Sequence, residues 1–228
     1  MRNAQLMRRL FAEFLGTAGI VATVVGTGHM AESLNADATV GLILMALAVG
    51  AVLFGAISML LPISGAHFNP AVTIIMGLEK RIGFKEGALY ISAQIIGAIS
   101  GAALGNLMFM QAVFSENAGA RANSGSMLGE VIATFGLVLL ILIFVQHKKL
   151  ELIAPGVALW IVAGHFFTSS TSFANPAVTI GRSFSDTLTG IDWGSTIAFI
   201  PMQLVGAGLA LVAHKILYPT KETKELNV

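Results

Sequence analysis

Asn69-Pro70-Ala71-Val72-Thr73-Ile74 and Asn175-Pro176-Ala177-Val178-Thr179-Ile180 are the same six residues in the same order, far apart in one chain. Asparagine is a preferred helix N-cap and proline is favoured at the first helical position, so each copy reads as a helix start. The apolar stretch that follows is short. Pro70 to Leu78 is nine residues, about 14 Å at 1.5 Å per residue, or half of an apolar membrane core of about 30 Å. Each copy follows a polar, small-residue stretch, Ser64-Gly65-Ala66-His67 or Ser169-Ser170-Thr171-Ser172. Irregular backbone of this kind is tolerated at membrane depth only where it lines a cavity. Its carbonyls then form a row of acceptors. With the asparagine oxygens used as caps, their amide groups are left free to donate.

The surroundings fit a bilayer. Of 228 residues, 55% are hydrophobic and 11% charged, against roughly 25% charged in a soluble domain. Six segments are long and apolar enough to span, about Leu10 to His29, Thr39 to Leu61, Gly87 to Met108, Gly125 to Val145, Leu152 to Thr168 and Ser195 to Leu217. They must be helices, because an open sheet leaves backbone groups unpaired in lipid. The basic amino terminus and the long run behind it read as a retained first span rather than a signal peptide. Each half of the chain repeats one order: a span with an early acid (Glu13, Glu130), a second span, the motif, then a span with a glutamine (Gln94, Gln203). Three spans per half force the second half upside down relative to the first, so the two motifs enter from opposite faces and meet midway. The expected architecture is therefore all-α, six transmembrane helices plus two re-entrant half-helices in two inverted three-span repeats. A single domain is expected over 1–218, with repeats at about 1–110 and 125–218, and a cytoplasmic tail over 219–228.

Charge placement gives orientation. With the amino terminus inside, Arg2, Arg8, Arg9, Lys80, Arg81, Lys85, Lys148, Lys149, Lys215, Lys221 and Lys224 fall on the inner side, and only Arg121 and Arg182 on the outer. Both termini are then cytoplasmic. The absence of cysteine removes disulfides, thiolate metal sites and a cysteine nucleophile. Nothing suggests nucleic acid as a partner, a metal site or a cofactor, and no nucleophile with a base points to an enzyme.

Two Asn-Pro-Ala boxes (Asn69, Pro70, Ala71; Asn175, Pro176, Ala177), Ala12-Glu13-Phe14 in the first span, and Ser64-Gly65-Ala66-His67-Phe68 before the first box resemble the aquaporin, or major intrinsic protein, family over nearly the whole chain. The resemblance implies a passive channel for water and small neutral solutes that excludes ions and protons, assembled as a homotetramer with one pore per subunit in a lipid bilayer. It further implies a bacterial aquaglyceroporin-like member of the family, in the inner membrane. Where most of the family carries a selectivity arginine three residues after the second asparagine, this chain has Val178. By the same resemblance the other constriction positions are Val49, Ser172, and either Ala163 or His165 in the fifth span. Val49 stands where a strict water channel has an aromatic ring. An arginine-free, apolar constriction favours glycerol, urea and arsenite- or antimonite-type hydroxides over a strict water channel. A coupled secondary transporter is a remote alternative, because inverted repeats with broken helices also build those folds.

Other candidates receive blander readings. Arg182, one helical turn beyond Val178, is either a displaced selectivity arginine or, as preferred, a solvated vestibule residue paired with Asp186. Glu13 and Glu130 are acids inside apolar spans; the family suggests that they bond the irregular backbone rather than couple protons. His67 lines or packs the pore without a metal. Gly97, Gly101 and Gly105 let helices approach closely.

Overall fold

The computed structural model describes residues 2–116 and 119–219; the tail expected to be cytoplasmic lies, from residue 220 on, outside the described residues. The first half consists of α1 (Arg2–Ser33), α2 (Ala38–Ser64), α3 (Pro70–Leu78) and α4 (Phe84–Met108). The second consists of α5 (Ser124–Gln146), α6 (Ile153–Phe167, entered through a 3-10 turn at Leu150–Leu152), α7 (Pro176–Arg182) and α8 (Trp193–Leu217). No strand occurs among the described residues. Six helices have the length and mean hydropathy, 1.5 to 2.6, to cross a membrane; α3 and α7 do not. The first helix is longer than the apolar run that announces it. At 32 residues, about 48 Å at 1.5 Å per residue, it is longer than an apolar core of about 30 Å.

Helix ends follow local chemistry. Asp37, Asn123 and Asp192 cap α2, α5 and α8 by accepting from Val40, Ser126 and Ser195 backbone N–H groups, and at α5 the Ser126 hydroxyl returns the bond as a capping box. The helices pair as α1 with α4 and α5 with α8, while α2 and α6 close the ring between them. Glycine sets the closeness of these pairs. A methyl on Gly97 would lie 2.5 Å from the Phe14 carbonyl oxygen, and one on Gly181 would lie 2.9 Å from that of Ala98, so α1 and α7 both press on the α4 backbone.

Two networks define the opposite ends of the bundle. At one end Arg9 forms an ion pair with Glu86, Lys215 approaches Glu79 at 3.9 Å, and His147 meets Tyr218 edge to face. This gathers the start of α1, the α3–α4 and α5–α6 connections and the end of α8, which hold most of the basic residues. At the other end Glu32 accepts from Leu188 N–H, Asn106 donates to the Phe184 carbonyl, and Arg121 donates to Leu188 and Gly190. Between these ends the outer wall is apolar: Leu47, Met59, Leu159, Ile197 and Ile216 are 60–73% exposed, as lipid-facing side chains are.

Candidate functional site

The chain enters each half-helix through left-handed backbone. Gly65 (φ 89°) closes α2, followed by Ala66 and Phe68 at φ 49°; Thr171, Ser172 and Ala174 do the same before α7 at 62°, 53° and 47°. Such conformations are unfavourable for residues with a Cβ, and buried N–H groups beside them need partners. Two glutamates supply them. Glu13 Oε1 accepts from the Ser64 hydroxyl (2.6 Å) and His67 N–H (3.0 Å), and Oε2 from Phe68 N–H and Gln94 Nε2, both at 2.7 Å. In the second half Glu130 Oε1 takes Phe173 N–H, and Oε2 takes Ala174 N–H and Gln203 Nε2, at 2.6 to 2.9 Å. Each glutamine also donates to the threonine of its own motif, Gln94 to Thr73 and Gln203 to Thr179. Both glutamates are fully buried, and in each of their own bonds the carboxylate oxygen is the acceptor.

Asn69 and Asn175 cap α3 and α7, accepting from Ala71 N–H at 2.9 Å and Ala177 N–H at 3.0 Å, and Pro70 and Pro176 occupy the first helical positions. The amide groups are not wholly free, which corrects the sequence expectation. Asn69 Nδ2 donates to the Ala174 carbonyl and Asn175 Nδ2 to the Phe68 carbonyl, both at 2.8 Å. Each motif thus spends one amide hydrogen on the backbone of the other and keeps one. The cause is the inverted repeat itself, which sets each asparagine beside the last carbonyls of the opposite irregular stretch.

A cavity of about 450 Å³ runs along this junction, from Arg9 and Arg81 at the basic end, past Asn69 and Asn175, to Arg182 at the other. Val49, Ser172 and Val178 line it and are 3–6% exposed. Of the fifth-span alternatives His165 lines the cavity and Ala163 does not; Ala163 faces outward. The two candidates differ in the length taken for the connection to α7, which here covers residues 168–175. His67 also lines the cavity, with Nδ1 3.1 Å from Thr73 Oγ1 and its ring edge-on to Tyr90.

Arg182 is a correction. A solvated vestibule residue was expected, yet the side chain is 2% exposed, lies with its guanidinium carbon 3.5 Å from the Phe173 ring centre, and donates through Nε to the Thr189 carbonyl at 2.5 Å. Neither partner was singled out from the sequence. Phe173 adjoins the motif, but Thr189 is brought in only by the fold of the α7–α8 connection.

The chain is similar to known proteins along most of its length. The sequence profile described as major intrinsic protein matches residues 1–158. A relative named aquaglyceroporin AqpS, from Rhizobium meliloti (strain 1021), is 41% identical over 222 residues, covering 97% of this chain and 95% of its own. A probable aquaporin TIP2-2 from Oryza sativa subsp. japonica is 31% identical over 95% of this chain and 89% of its own. Among solved structures, the aquaglyceroporin from Plasmodium falciparum superposes with a TM-score of 0.73 at 22% identity, over 94% of this chain and 98% of that one, and shares the fold.

Proposed function

The chain belongs to the major intrinsic protein family, and from that premise we propose that its pore admits neutral solutes wider than water: glycerol, urea and the uncharged trihydroxides of arsenic and antimony. At the coarser level it is an integral membrane protein, a passive channel for water and small solutes and not an enzyme. The observation that carries the wider range is the pair Val49 and Val178, apolar side chains on the wall of the cavity together with Ser172 and His165. Valine is short and offers no donor, so this stretch is wider and less polar than one closed by a ring and a long basic side chain. The name aquaglyceroporin, carried by the 41% identical relative, favours the same range.

Ion exclusion rests on α3 and α7, whose amino ends meet midway, each with about half a positive charge. Glu13 and Glu130 hold the backbone there and carry no protons across. The working unit is a homotetramer, with residues 1–218 forming one channel domain per subunit, in a bacterial inner membrane with the basic end cytoplasmic; the charge bias supports that orientation. Stopped-flow measurements on proteoliposomes test the solute range: glycerol, urea, arsenite and water should all equilibrate faster than in empty vesicles. Acceleration of water alone would return the protein to the strict water channels.

A further inference from the structure

Three buried polar atoms on the cavity wall have no partner among the described residues: Arg182 Nη2, Ser172 Oγ and His165 Nε2. His165 Nδ1 lies 2.7 Å from the Ile161 carbonyl. A carbonyl only accepts, so Nδ1 carries the proton and the neutral ring turns a lone pair on Nε2 toward the cavity. The wall therefore offers a donor at Arg182, a donor or acceptor at Ser172 and an acceptor at His165, against the apolar Val178.

Arg182 is the unusual member. Among the described residues no carboxylate lies within ion-pair distance of it, and Glu130 acts on it only from farther away, although a buried charge is costly unless paired. What holds it is not a counter-ion but a plane and a carbonyl. The guanidinium stacks on Phe173, itself fixed by Glu130 through its N–H and by the edge of Phe199. Nε is tied to the Thr189 carbonyl, and Thr189 is in turn bonded through its hydroxyl to Thr187 and to the Val24 carbonyl. Arg121 holds the flanking carbonyls of Leu188 and Gly190, with its guanidinium carbon 5.7 Å from the same Phe173 ring. With Nε and one face of the guanidinium engaged, Nη2 remains as an unsatisfied donor on a fixed cation.

We propose that Arg182 is a specificity-determining residue one helical turn outside Val178: locked on Phe173 and Thr189, it sets a fixed positive charge and a free N–H donor on the cavity wall, so that hydroxyl-bearing neutral solutes are received and cations are turned back before they reach the two asparagines. This rests on the reading of the chain as a broad neutral-solute channel and adds the residue that makes it charge-selective. The partial charges of α3 and α7 oppose the same ions from the midpoint, so the question is how much exclusion survives without the full charge.

The test is proteoliposomes carrying wild type, Arg182→Met, Arg182→Gln and Arg182→Lys, with cation entry (protons, sodium, methylammonium) followed at clamped potential. Removing a fixed unit charge from a desolvated wall should raise cation entry about fivefold or more in the methionine and glutamine variants, while lysine, which keeps the charge, stays near wild type. The glutamine variant keeps a donor for Thr189 and serves if the methionine one does not fold. A rise below fivefold in a folded neutral variant, or a lysine variant as leaky as the methionine one, overturns the proposal. Water and glycerol fluxes of the same vesicles report on the broader reading separately: a wild type that passes water but no glycerol removes the wide solute range and leaves the cation result standing.

Discussion

At the scale of single residues, Val178 and the two buried glutamates make opposite demands. An arginine at 178 would bring a long side chain with five donors into space that a polyol needs, four residues from Arg182 on the same helical face. In Val178→Arg the glycerol-to-water and urea-to-water flux ratios should therefore fall by about tenfold, which corresponds to about 1.4 kcal/mol of added barrier, and more clearly so with Arg182→Ala, which relieves like-charge repulsion of a few tenths of a kcal/mol. Equal ratios in all three proteins would mean that Val178 does not bound the path. Glu130→Gln replaces an acceptor by a group whose amide must face the donors of Phe173, Ala174 or Gln203; each orphaned donor costs roughly 1–3 kcal/mol. The variant should melt at a clearly lower temperature in detergent. Unchanged stability with altered pH dependence of transport would instead favour proton coupling. What the sequence conveyed at this scale was uneven. The glutamates, glutamines and asparagines were legible because each occurs twice in matched places. His165 was not, since its distance from Asn175 depends on how residues 168–175 coil. The burial of Arg182 was illegible because its partners come from a ring nine residues earlier and a carbonyl seven residues later, and no local pattern announces either.

At the scale of elements, the half-helices depend on their asparagines twice over, as cap and as bridge. Aspartate caps as well as asparagine does but cannot donate, so it separates the two roles. Asn69→Ala loses a cap worth about 1 kcal/mol and the bond to Ala174; Asn69→Asp loses only the bond, and sets one oxygen against another. Both should show low flux per folded channel, with alanine the less stable. An aspartate variant with normal flux would reduce the bridge to an incidental contact. The helix pairs make a simpler case. Gly97→Leu would push a branched side chain into the Phe14 carbonyl, with no room for α1 to retreat while Glu13 is tied to the first irregular stretch, and the yield of folded protein should collapse. The existence and length of α3 followed from Pro70 and the end of the apolar run at Leu78. The end of α7 did not, because Arg182 closes that helix while its side chain is drawn under the α7–α8 connection.

At the scale of the whole molecule, the six spans, their inversion and the shared basic end were readable from hydropathy and charge, and the ion pair of Arg9 with Glu86 and the approach of Lys215 to Glu79 gather that end in three dimensions. Orientation in the membrane is a matter for labelling. Lys148→Cys, on a chain with no cysteine of its own, should react with an impermeant maleimide only from inverted vesicles, and reaction from the outside of whole cells would reverse the assigned topology. The reciprocal bonds between the two motifs carry a consequence in time. Asn69 leaves the ribosome long before Ala174, whose carbonyl its amide requires, and at about 5–20 residues per second the wait is on the order of 5–20 s. During that interval the first re-entrant segment has no opposite half to close on, so the nascent chain holds a polar, unfinished hairpin at the translocon. A chain stalled near residue 120 should leave a cysteine placed at Ala66 open to modification from the aqueous side, and a chain released after Leu217 should protect it, making the final closure of the pore an event of late synthesis and not of sequential insertion.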